Sequence, residues 1–325
     1  MSGIHRMAIP TPFMVGRVNC YLIDDDPLTL VDTGPNSGKA LDCLEREMAA
    51  HGRKIEDLGR IVITHQHLDH MGLVDVLARR SGAEVVTLDL LAPLIEDFGA
   101  EAERDDELAA ALMLRHGITR DVVTALRTVS RSFRGWGSAT KVTTRVPDGG
   151  TIEFAGRTLE AIHRPGHSPS DTVFLDRAAG TLLGGDHLLS HISSNPLISR
   201  QLGGKSGEPG DGRPRALLTY LASLRDTREM ELSQVLPGHG DPFDGHVALI
   251  DERFSMHERR ASKIHGLLGE PLTAHEIAQA LWGNVAVTQA YLTLSEVLGH
   301  IDLLLERGLL IEHETGGVIR FEAVS

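Results

Sequence analysis

The sequence predicts an α/β layered fold, and three observations predict it. Short β-branched runs alternate with amphipathic segments between residues 18 and 88. Strand-like runs return in quick succession from 141 to 185. Several of these apolar runs end in a histidine or aspartate with glycine beside it. Strands and helices alternating at this spacing pack as layers.

The elements follow in order. Residues 18–32 read as a strand, an Asp-rich turn with Pro27 and a second strand, closed by a Gly turn. Ala40, Leu41, Leu44 and Met48 recur at helical spacing over 37–51. Arg60-Ile61-Val62-Ile63 is a short strand, 71–80 a helix and 84–88 another strand. The stretch 90–138 breaks the rhythm and reads as a helical insertion, ending with Phe133 and Trp136 between glycines. Strands follow at 141–146, 151–154, 157–163, 171–176 and 181–185. Loop 203–215 is rich in Gly, Pro and charge and is expected to be mobile; 214–226 is a helix and 234–236 a strand. From about 246 the pattern turns helical, and 271–325 reads as three helices and a hairpin around Gly316-Gly317. The expected division is therefore 1–245 and 246–325.

A chain of 325 residues has the length of roughly two domains of about 150 residues. The net charge of −13 disfavours phosphate backbones and anionic lipid as partners. No apolar run reaches the length of a membrane span, and the first 17 residues hold no signal-peptide core. With only Cys20 and Cys43, both read as reduced thiols, a cytoplasmic setting is expected.

The chemistry concentrates in histidine, of which there are 17. His65, His67, Asp69 and His70 fall within six residues, immediately after an apolar strand. Residues two apart in extended chain point the same way, so His65 and His67 can reach one metal together. Asp69 and His70 then turn toward a neighbouring point. Imidazole with carboxylate suits zinc, and also iron or manganese. Three further segments repeat one grammar: Pro165-Gly166-His167, Gly184-Gly185-Asp186 and Pro237-Gly238-His239-Gly240. Glycine beside each ligand-type residue allows a sharp turn or close approach.

Together, Thr64-His65-Gln66-His67-Leu68-Asp69-His70 and these three segments resemble the binuclear pattern of the metallo-β-lactamase superfamily, in the form shared by glyoxalase II-like enzymes, over roughly residues 15–245. The resemblance implies an αββα sandwich. It implies two divalent ions, zinc foremost, with His65, His67 and His167 on the first. Asp69, His70 and His239 would take the second, and Asp186 would bridge both. Asp69 would also hold the nucleophile, a metal-bridging hydroxide. Asp32, in Val31-Asp32-Thr33-Gly34, matches the family's N-terminal turn beside the site; a plain turn-forming role is the alternative. Ser193 and Asn195, beyond Asp186, are expected to border the substrate pocket.

Four features bear on the substrate. Leu189 stands where the lactone-hydrolysing branch carries tyrosine, which lowers an acyl-homoserine lactonase. Leu112, Met113, Leu114, Phe133 and Trp136 either wall the pocket for an acyl or aromatic group or pack the insertion itself. The tail resembles the winged-helix domain of lactamase-beta-2-like proteins, some of which act on RNA. That tail carries three cations against eight carboxylates over 261–325, so it reads as a packing or dimerisation module. The expectation is a small-molecule hydrolase acting on an acyl thioester or similar activated ester, with lactonase and phosphodiesterase or ribonuclease as alternatives. Arg200 and Lys205 are read as surface charge rather than contacts to an anionic carrier.

Overall fold

The computed structural model describes residues 3–202 and 213–324. Two sheets lie face to face. The first runs β1 (Ile4–Ile9), β2 (Val18–Ile23), β3 (Thr29–Val31), β4 (Arg60–Val62), β5 (Glu84–Leu88) and β6 (Thr144–Val146) in spatial order. Its first three strands are antiparallel, and β3 through β6 are parallel. Each parallel step needs a crossover. Helix α1 (Gly38–Ala50) makes the first, and α2 (Leu68–Met71) with α3 (Val74–Ser81) the second. The third is the insertion, made of α4 (Ala92–Glu96), α5 (Phe98–Arg115), α6 (Arg120–Phe133) and a short turn of helix, Arg134–Trp136. The second sheet comprises β7 (Thr151–Glu153), β8 (Thr158–His163), β9 (Thr172–Asp176), β10 (Thr181–Gly185) and β11 (Gln234–Pro237), the last reached through α7 (Ala216–Arg228). The tail holds α8 (His246–His265), α9 (Ala274–Trp282), α10 (Val285–Thr288), α11 (Ala290–Glu306) and the hairpin β12 (Leu310–Thr315) and β13 (Val318–Ala323).

Apolar alternation assembles the layers. Tyr21, Ile23, Val31, Val62 and Val86 of the first sheet meet Leu159, Ala161, Phe174, Leu183 and Leu236 of the second. Ala40, Leu44 and Met48 of α1, capped by the Ser37 side chain, cover the opposite face of the first sheet with Val74 and Leu77 of α3. This is the predicted α/β sandwich. Strand β1 was not foreseen: its outer residues are only half-buried, so its apolar alternation is weak.

The insertion does not close on itself. Leu112, Met113, Ile118 and Val123 share one core with Leu217, Ile250, Ile264, Ile277, Leu298 and Phe321 from α7 and the tail. Leu112 and Met113 are therefore packing residues. Arg200 pairs with Glu101 and with Asp105 at 2.7 Å, as a buttress on α5 rather than a solvated charge. Lys205 and most of loop 203–215 lie outside the described residues. Cys20 and Cys43 are free and buried. No helix among the described residues is long and apolar enough to cross a membrane.

Candidate metal centre

Topology delivers the polar residues to one edge. Strands β3 and β4 run parallel, so Asp32 and Thr64 follow them on the same side. In the second sheet β8 and β10 are both antiparallel to β9, and β11 is parallel to β10. Three strands thus end together, and the loops carrying His167, Asp186 and His239 follow them. Main-chain bonds Asn19 N–Gly238 O (2.7 Å) and Thr172 N–Thr64 O (3.1 Å) tie the two sheets at this edge.

The imidazoles are oriented by protein acceptors on their outer nitrogens. The Thr64 hydroxyl donates to Asp32 Oδ2 at 2.8 Å, so it must accept from His65 Nδ1 at 3.0 Å. His70 Nδ1 donates to Asp32 Oδ2 at 2.7 Å. His167 Nδ1 donates to the Asn195 carbonyl at 3.0 Å, and His239 Nδ1 to that of Arg17 at 2.7 Å. The Nε2 atoms of these four rings therefore face inward. His67 joins them through Nδ1, which lies 3.0 Å from both His65 Nε2 and His167 Nε2. Burial pushes both His65 and His67 down, His67 to about 3, with the neighbouring imidazoles adding to it. With its own proton on Nε2, neutral His67 turns a third bare nitrogen toward those of His65 and His167, the arrangement a cation would hold.

The carboxylates sit beside them. His239 Nε2 lies 3.3 Å from Asp69 Oδ2 and 3.4 Å from Asp186 Oδ2; His70 Nε2 lies 3.4 Å from Asp186 Oδ1. Asp186 Oδ2 is also 3.6 Å from His167 Nε2, so this one carboxylate reaches toward both histidine groups. Burial opposes charge on His70 and His239. Asp186, Asp32 and Asp69 outweigh it at His70, and Asp186 and Asp69 at His239, which is pushed up to about 9. The pocket of three acids calls for positive charge. Asp186 Oδ1, His70 Nε2 and His239 Nε2 are buried without a hydrogen-bond partner among the described residues. At this edge three groups have their donor atoms within 4.8 Å of one another, His65, His67 and His167; His65, His70 and Asp186; Asp69, His70 and His239, and a fourth, His257, Glu296 and His300, lies apart in the tail. These donors fit divalent cations such as zinc.

Glycine makes the approach possible. A Cβ at Gly238 would stand 2.2 Å from Asp186 Oδ1, and one at Gly166 would stand 2.4 Å from Tyr220 Cβ.

The seven ligand-type residues read from the sequence thus converge, with Asp32 directly behind His70 and, through the Thr64 hydroxyl, behind His65. Asn195 contributes its carbonyl to His167, while its side-chain amide donates to the Leu292 carbonyl at 3.3 Å. Ser193 makes no side-chain hydrogen bond among the described residues; the buried neighbour Ser194 instead donates to the Asp186 carbonyl. Thr64 and Ser194 stand inside segments singled out from the sequence but were given no role there, because their residue types carry no ligand signal; the Arg17 carbonyl was missed, since a main-chain carbonyl has no residue type to read.

A model of the metallo-beta-lactamase superfamily matches residues 14–239. The Bacillus subtilis (strain 168) protein named "Probable metallo-hydrolase YqjP" is 32% identical over 324 residues, 99% of this chain and 98% of its own length. The crystal structure of a metallo-beta-lactamase family protein from Thermus thermophilus aligns with a TM-score of 0.81 at 25% identity, over 100% of this chain and 99% of its own. Over a shorter stretch, "Thioesterase pkgB" of Emericella nidulans is 29% identical across 123 residues, 38% of this chain and 31% of its own length. Because the matched family region spans every strand end that carries a clustered histidine, and likeness in sequence and fold runs end to end, the chain belongs to the metallo-β-lactamase superfamily and is a metallo-hydrolase of that family.

Proposed function

We propose that the protein is a binuclear hydrolase of acyl thioesters or similarly activated esters. His65, His67 and His167 would hold one divalent ion, and Asp69, His70 and His239 the other, with Asp186 reaching both. The observation that carries this reading is the convergence of five inward-facing imidazole nitrogens and two carboxylates, with four of the five rings fixed from behind by protein acceptors. Divalent cations bound there acidify a water and act as Lewis acids toward a carbonyl. Asp69 is the proton acceptor on this chain. Burial works to raise its pKa, but His70 and His239 override that and hold the carboxylate ionised.

The mouth of the site favours an apolar acyl group. Loop 10–17, which supplies the Arg17 carbonyl to His239, presents Met14 with 90% of its surface exposed. Phe13 of that loop meets Phe133 of the insertion at 5.9 Å between ring centroids. Gln289, at the start of α11, donates to Met14 Sδ at 3.3 Å. Phe133, Ile192 and Leu292 are also exposed, so three separate segments offer apolar surface around the loops that orient His167 and His239. The thioesterase name of one distant relative points the same way.

Each alternative meets an obstacle. The three tyrosine hydroxyls donate to the carbonyls of Pro237, His187 and Ile198, leaving none as a proton donor for a lactone. For RNA, two of the three cations of residues 261–325, Arg307 and Arg320, are paired with Glu258 and Glu276. In this reading residues 1–245 are the catalytic unit, and 246–325 are a helical unit packed on the insertion.

The test is a substrate panel on zinc- or manganese-loaded protein: acyl-coenzyme A thioesters, lactoylglutathione, lactones, bis-p-nitrophenyl phosphate and single-stranded RNA. Thioester turnover that disappears with chelator and in His67→Ala is the expected result. RNA cleavage lost in His67→Ala, without thioester turnover, refutes the substrate class. Turnover that survives both treatments refutes the metal mechanism.

A further inference from the structure

The strongest feature outside the clustered ligands lies in the tail, beyond the matched family region. Arg253, on α8, is buried. Its Nη2 donates to three main-chain carbonyls: Leu189 at 3.0 Å, Ser190 at 3.1 Å and Ile192 at 3.1 Å. Among the described residues the nearest carboxylate, that of the exposed Glu252, stands 3.6 Å from Nη1. A guanidinium removed from water without a close counter-ion needs other acceptors, and here the carbonyl dipoles provide them.

Those carbonyls belong to the loop from Asp186 to Asn195, which has no sheet ladder of its own. Both ends of this loop reach the metal centre. At one end is Asp186, whose carbonyl accepts from the Ser194 hydroxyl. At the other, the Asn195 carbonyl accepts from His167 Nδ1 and the Leu197 N–H donates to the His167 carbonyl at 3.3 Å. Tyr220 pins the first part of the loop through the His187 carbonyl at 2.9 Å. Arg253 gathers the middle. Without it, three carbonyls lose their donor and the middle of the loop loses its hold, between Asp186 at one end and the acceptor that aims His167 at the other.

We infer that Arg253 is a positioning residue, through which the tail helix holds Asp186 and His167 in register for metal binding. This rests on the proposed assignment of those two residues as ligands. It gives the tail a part in the site that does not require contact with substrate. All three bonds come from Nη2, whose two N–H groups are shared among three acceptors; the rigid, planar guanidinium fixes where that nitrogen points, which the flexible lysine stem does less well.

The test is cobalt(II) titration of the metal-stripped full-length protein, followed by visible absorption and by competition with a chelator. Arg253→Met, which keeps the aliphatic volume, is expected to bind cobalt roughly 10-fold more weakly with an altered absorption band, in the lower range for loss of groups that orient ligands. Arg253→Lys should fall between it and the unmodified chain, and Glu252→Gln should match the unmodified chain. If Arg253→Met lowers the melting temperature but leaves cobalt affinity and spectrum unchanged, Arg253 is a packing residue only and the inference is overturned. If Arg253→Met does not fold, Arg253→Lys decides by the same titration: a shifted band and weaker binding support the inference, and native values overturn it. Failure of the unmodified protein to bind cobalt would instead overturn the metal-centre reading, and the inference with it.

Discussion

Asp32 accepts the Nδ1 proton of His70 at 2.7 Å from a backbone held in the left-handed region, at φ 58°. The same Oδ2 accepts from Thr64 Oγ1, which in turn receives His65 Nδ1–H. One carboxylate therefore aims an imidazole in each histidine group, and the left-handed turn after β3 puts it there. Such backbone strain persists where surrounding structure over-determines it.

Asp32→Ala should weaken metal binding by roughly 10–100-fold, the range for loss of a group that orients a ligand. Asp32→Asn keeps an acceptor and tolerates the left-handed turn, so it should lie between. Competition with a chelator measures both. Native affinity in Asp32→Ala would leave the residue as a turn former alone.

Gly238→Ala tests the close approach of β11's end to the site. Its Cβ would meet Asp186 Oδ1 at 2.2 Å and His70 Cε1 at 2.8 Å, so the ligands must move. The variant should keep its far-ultraviolet circular dichroism and lose bound metal. Full metal content by elemental analysis would show that the cradle yields.

The apolar rim makes a prediction about chain length. Phe133→Ala and Met14→Ala should lower kcat/KM for long acyl thioesters by roughly 10-fold each, the scale of lost apolar contact in a pocket. Acetyl thioesters, too short to reach the rim, should be unaffected. Equal losses for short and long chains would place these residues elsewhere in the mechanism.

A buried imidazole pair sets a pH dependence of stability. His257 Nδ1 lies 3.1 Å from His300 Nε2, and His300 Nδ1 donates to the Glu296 carbonyl at 2.7 Å. Burial first, then His300 and nearby arginines, push His257 down to about 3. An unfolded histidine titrates at about 6.5. The unfolded state therefore gains a proton that the folded state refuses. This contribution is complete above that value and is lost as pH falls from it toward 3. Between about pH 7.5 and 5.5 it amounts to about 1 kcal/mol. Urea denaturation of the native chain and His257→Gln at both pH values checks it: the variant should show the shallower pH slope. Parallel slopes would refute it.

What the chain carried in local order was legible. The cluster from Thr64 to His70 and the three Gly-flanked ligand turns are short-range patterns. Extended chain, tight turns and periodic burial follow from near neighbours, so strands β2 to β11, the helices between them and all seven ligand-type residues could be read directly. Other features depend on partners far away in the chain. The insertion's packing on the tail, the Asn195 and Arg17 carbonyls behind His167 and His239, and the grip of Arg253 on loop 189–192 leave no local pattern. A main-chain carbonyl is the same at every residue, and only the fold decides which imidazole or guanidinium it meets.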